Sequence, residues 1–147
     1  FFGLVLLTIA STDFERRLIP NRIVYPAIIV AVLVAWAWPD RSVADIAIGG
    51  AAALGIGGGM FLFGILTGTL LGVRATPFGL GDGKLIVLIG LLTGWPAMLS
   101  ALLFGIVAAG VPAVVMIVLG RGRQVFAYGP YLVLGALVPL LWPANFV

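Results

Sequence analysis

Residues 97–119, AMLSALLFGIVAAGVPAVVMIVL, run for 23 positions without a charged side chain. A stretch of that length and apolarity is the signature of a helix that crosses a bilayer. The flanking sequence repeats the pattern. Apolar runs at 1–12, 22–38, 44–72, 84–96 and 130–145 alternate with short breaks marked by charge, Pro or Gly. The chain is 63% hydrophobic and 9% charged over 147 residues, with a mean hydropathy of +1.26. No soluble domain of this size could hide so much apolar surface in one core. The expected fold is an all-α, polytopic membrane helical bundle of about six transmembrane segments, forming one integral membrane domain over residues 1–147.

Composition narrows the chemistry. There is no cysteine and no histidine, which removes thiol nucleophiles, thiolate metal sites, disulfides and the commonest general base. No metal site and no cofactor is expected. Carboxylates, hydroxyls, amides and a few basic groups remain. The net charge of +3 reflects topology and does not imply a nucleic-acid partner. With six crossings, Arg16, Arg17, Arg22, Arg74, Lys84, Arg121 and Arg123 fall on one side and Arg41 alone on the other. The positive-inside rule makes the first side cytoplasmic, with both termini outside.

Two segments are short. A helix from Lys84 to Trp95 would rise only about 18 Å at ~1.5 Å per residue, less than the roughly 30 Å hydrocarbon layer. The segment that begins at Gly129-Pro130 is similarly short. Non-helical backbone below the membrane surface survives only where protein buries it or it lines water. A wet cleft open to the cytoplasm is therefore expected, with the stretch Gly79-Leu80-Gly81-Asp82-Gly83-Lys84 at its edge. Three glycines around one carboxylate imply a backbone that turns tightly or lets something approach.

Of the five carboxylates, Asp40 and Asp45 flank a turn on the side away from the basic loops, where solvation explains them, and Glu15 adjoins Arg16 and Arg17 at headgroup level. Asp13 follows the first apolar run and Asp82 opens the fourth from the same face. An unpaired charge in hydrocarbon costs about 2.5–3.5 kcal/mol on insertion scales, so an embedded acid faces a cavity or a partner. Two carboxyls sharing one proton could activate water and protonate a leaving nitrogen. The alternative is structural: Asp13 caps a helix or pairs with Arg17, and Asp82 caps the fourth segment. Position alone leaves both readings open.

Two longer stretches, Asp13-Phe14-Glu15-Arg16-Arg17-Leu18-Ile19-Pro20-Asn21 and Gly79-Leu80-Gly81-Asp82-Gly83-Lys84, resemble motifs of the prepilin peptidases, or type IV leader peptidases, of the GxGD aspartyl protease class. Those motifs are approximately D-x-x-x-R-x-I-P-N and G-x-G-D-x-K. Residues 126–135, FAYGPYLVLG, are similar to a third, F-G-P-[FY]-L-x-L-G. The resemblance spans nearly the whole chain, in order. It implies that Asp13 and Asp82 are a catalytic pair at the cytoplasmic face of a bacterial or archaeal inner membrane. It also implies a substrate: a prepilin or pseudopilin with a basic leader and a hydrophobic helix, cut while that helix lies in membrane lipid.

Other residues of these motifs have two readings each. Gly79 and Gly81 either admit substrate backbone or permit helix packing. Lys84 tunes the acids or binds lipid phosphate, and Arg17 is read as a headgroup anchor. Gly129 and Pro130 shape the cleft wall or simply start a helix. Gly83 stands where the family usually has an apolar residue, and Ala127 where proline is common. Many bacterial members carry a domain with paired CxxC motifs and N-methyltransferase activity. This cysteine-free sequence resembles the shorter, peptidase-only form. Two rival functions fit the composition: a proton- or cation-coupled transporter component built on paired acids, and a structural partner packing through small residues.

Overall fold

The computed structural model describes residues 2–16, 19–38, 41–70, 80–119 and 127–142. Six α-helices occupy most of these: α1 (Phe2–Arg16), α2 (Asn21–Leu33), α3 (Val43–Leu70), α4 (Leu80–Thr93), α5 (Ala97–Val118) and α6 (Gly129–Leu141). A single 3-10 turn, Ala35–Ala37, follows α2, and there is no strand among the described residues.

The helix α4 is the axis of the bundle and packs against α2, α3, α5 and α6, whereas α1 lies against α2 and α6. Its side chains explain this position. Leu85, Ile86, Leu88, Ile89 and Leu92 are all buried, as expected of a helix surrounded by others. By contrast α3 and α5 turn Leu62, Phe63, Leu66, Val107, Val111 and Val114 outward. Such a belt is intolerable in water and natural in lipid. Val43–Leu70 and Ala97–Met116 are long and apolar enough to cross a membrane, whereas the apolar helices α2 and α6 are shorter. The six apolar segments thus appear as six helices, of which two meet the length and composition of a span.

Small residues bring the axis close to its neighbours. Gly49, Ala53 and Gly57, four residues apart on α3, face Gly83 and Gly90 of α4. A Cβ on Gly90 would lie 2.5 Å from the Ala53 Cβ and from the Gly49 carbonyl oxygen. The α5–α6 seam is built likewise, with Gly135 of α6 pressed on Ala101 and Gly105. In lipid, where apolar side chains gain nothing by leaving the solvent, such close backbone packing supplies much of the association.

The two boundaries next to the acids differ from the sequence expectation. The helix α1 does not stop at residue 12 but continues through Asp13 to Arg16. Residues 80–84 are not a turn leading into a segment at Lys84, because α4 begins at Leu80 and Asp82 is its third residue. An acidic residue in a first turn meets the positive end of the helix dipole and supports helix there despite two glycines. Even so, α4 is about 21 Å long at ~1.5 Å per residue, still short of the hydrocarbon thickness.

Candidate active site

One end of the bundle gathers the C-terminal end of α1 and the N-terminal ends of α2, α4 and α6. Three contacts define it. Gly129 N at the start of α6 donates to Asp13 Oδ2 at 2.9 Å, and Lys84 Nζ of α4 donates to Asn21 Oδ1 of α2 at 2.9 Å. Gly81 of α4 lies under Ile19, whose Cβ would be 3.1 Å from a Cβ added at Gly81. Asp13 and Asp82 therefore stand at the same end, on helices that share α2 and α6 as neighbours.

Asp13 is 5% exposed. A buried carboxyl is tolerated only with compensating hydrogen bonds. The last turn of α1 is the wrong place for an anion, because the helix dipole presents its negative end there. The compensation comes from another helix. The first amides of α6 have no intrahelical acceptor, and the side chain of Tyr128 at its N-cap does not cap them. Asp13 fills that vacancy from across the bundle. The alternative that Asp13 caps a helix is thus realised, but for α6 and not for its own segment. The cap uses one carboxylate oxygen. A carboxylate can accept about four hydrogen bonds, so its capacity for water is not exhausted.

The closeness of this contact explains why residue 129 carries no side chain. A Cβ there would sit 2.5 Å from Asp13 Oδ2 and 2.9 Å from its Cγ. Pro130 follows as the second residue of α6, where its missing N–H and fixed φ suit a helix start. Of the two readings for Gly129 and Pro130, the plain helix start describes Pro130, whereas Gly129 touches the acid itself.

Asp82 is partly exposed in the first turn of α4, between Gly81 and Gly83. Gly83 lies against the Gly57 backbone, so the glycines on either side of Asp82 let Ile19 and α3 approach. Lys84 does not face bulk solvent alone. Its ammonium lies 4.8 Å from the centre of the Tyr25 ring and bonds Asn21. Tyr25 was not anticipated. The available signal was its spacing, four residues after Asn21 on α2, which puts both on one helix face. Gly79 and Arg17 lie outside the described residues.

No group of three or more metal-binding side chains occurs among the described residues. Among the described residues, the groups that meet at this end include the Asp13 and Asp82 carboxyls, the Gly129 amide and the Lys84 ammonium.

Comparison with known proteins places the chain in a family. No solved structure matches the chain. The prepilin leader peptidase/N-methyltransferase of Stutzerimonas stutzeri is 27% identical over 141 residues, covering 93% of this chain and 46% of the relative. The chain thus spans less than half the length of that relative. The model of the type IV leader peptidase family matches residues 1–114, a range that holds both acids and stops short of Gly129. By that match, over more than half of its length, the chain belongs to the type IV leader peptidase family.

Proposed function

We propose that this protein is a membrane aspartyl endopeptidase that removes the N-terminal leader from prepilin- or pseudopilin-like substrates, with Asp13 and Asp82 as the catalytic pair. The observation that carries the reading is the convergence of the two acids at one end of the bundle, Asp13 buried and Asp82 in a glycine-flanked first turn. In this mechanism one carboxylate takes a proton from water, and the resulting hydroxide adds to the scissile carbonyl. The other carboxyl, initially protonated, stabilises the oxyanion and delivers its proton to the departing nitrogen as the C–N bond breaks. Every role falls to a residue type that the sequence retains.

The substrate's apolar helix lies in lipid beside a single integral membrane domain, and its basic leader stays in cytoplasmic water. The acid-bearing end faces the cytoplasm. In support, Arg16 and Arg22 on α1 and α2 and Lys84 on α4 belong to that end, and Arg41 to the opposite one, the arrangement the positive-inside rule favours. A groove of about 180 Å³ between α3 and α4 starts beside Asp82, at Gly83 and Lys84, and is walled by Leu54, Phe61 and Val87. Such a groove suits an apolar side chain of a membrane-embedded substrate.

The test is cleavage of a peptide with a basic leader and an apolar helix by the reconstituted full chain. Asp13→Asn and Asp82→Asn should each lower turnover by about a thousandfold or more. Normal cleavage by both variants would end the proposal.

A further inference from the structure

We infer that Gly129 is a positioning residue for Asp13: its amide holds one carboxylate oxygen and its missing side chain leaves the carboxyl room to be held. The inference rests on the catalytic reading of Asp13 given above, and it names a residue beyond the range of the family match.

A free aspartate side chain can rotate about χ1 and χ2, so a carboxyl that must meet water and a second acid in one geometry needs an anchor. The donor must come from a rigid element. Among the described residues, the recorded hydrogen bond to Asp13 is the one from Gly129 N, buried and 2.9 Å long. It arises from the first turn of α6, a helix pinned along its length to α5 by Gly135 against Ala101 and Gly105. With Oδ2 accepting from this amide, Oδ1 is the oxygen left for the chemistry. Because the bond joins residues 116 apart in sequence, the docking of α6 sets the aim of an acid carried by α1. Any side chain at position 129 must push the carboxyl away, since a Cβ would stand 2.5 Å from Oδ2 and 3.2 Å from the Asp13 Cβ.

Two variants test this in the reconstituted full chain with the leader peptide as probe. Gly129→Ala displaces the carboxyl, and turnover should fall about a hundredfold, the effect of misplacing a reacting group by about 1 Å, while KM stays within about twofold. Replacing the Gly129 amide by an ester through nonsense suppression deletes the donor without adding bulk. Here kcat should fall at least about tenfold, again at constant KM, with the unfolding temperature nearly that of the parent. A purely structural role would lower the unfolding temperature and leave kcat of the folded protein unchanged. Parental kcat in the ester variant overturns the inference, whether or not Gly129→Ala folds. If Asp13→Asn also cuts normally, the catalytic reading fails; if Asp13→Asn is dead, only the role of Gly129 is lost.

Discussion

The two ends of this bundle use charged residues in opposite ways. At the end away from the acids, charge is absorbed by the backbone. The Arg41 guanidinium donates to the Leu92 carbonyl at the end of α4 and to the Pro139 carbonyl near the end of α6 at 3.5 Å, and it lies 5.9 Å from the centre of the Trp38 ring. One cation thus serves the C-terminal carbonyls of two helices, where the dipole favours it. Asp45 is absorbed too. Ser42 and Asp45 form a reciprocal cap on α3, with Asp45 N donating to Ser42 Oγ at 3.1 Å and Ser42 N to Asp45 Oδ2 at 3.2 Å, the geometry of a capping box. Gly94, with φ of +69°, closes the α4–α5 connection beside Arg41. At the acid end, Asp13 gives one oxygen to an amide and keeps acceptor capacity in reserve. Arg41 and Asp45 finish helices and so stabilise them, whereas Asp13 caps α6 with one oxygen and retains acceptor capacity that the proposed mechanism uses.

Variants can break that division. The largest effect is expected from Asp13→Asn, with turnover down about a thousandfold but unfolding temperature little changed, since the amide oxygen of asparagine still accepts from Gly129. A large loss of stability with residual turnover would make Asp13 a structural cap. Next is Arg41→Ala, which should cost about 2–3 kcal/mol by leaving helix-end carbonyls without their charged donor. Thermal unfolding in lipid should show it, with kcat of the folded protein within about twofold. Loss of turnover without loss of stability would show that the far end is not merely structural. Gly90→Ala should cost about 1–3 kcal/mol through overpacking against Gly49 and Ala53. The smallest effect is Asp45→Ala, about 0.3–1 kcal/mol for the lost reciprocal half of the capping box and its charge at the helix start, read in the same unfolding experiment.

Much of the architecture was legible because membrane insertion demands long apolar runs, and such runs stand out in any sequence. The position of residues 97–119 needed no tertiary information. Helix ends at the acids were less legible, because glycine signals a turn when read locally and close packing when a neighbouring helix is present. Gly83 faces Gly57, and Gly81 faces Ile19, and neither partner is visible from the GLGDGK stretch. The candidate site divides similarly. Asp13 and Asp82 stood out as acids bordering apolar segments and through the motifs they share with a known family. Tyr25 beside Lys84 and the amide of Gly129 beside Asp13 did not, since a backbone N–H has no sequence signature and a ring under a cation depends on where α2 packs.

What the sequence by itself determined, then, is the solvent, the helices, the lack of thiol and imidazole side chains, and the two acids worth asking about. Hydropathy and residue inventory are sums over the chain and survive any folding. The tertiary structure decided which helix stands at the centre, that the dipole of α6 answers the acid of α1, and that Arg41 serves two helix ends at once. These depend on distances between segments far apart in the chain, which only packing fixes.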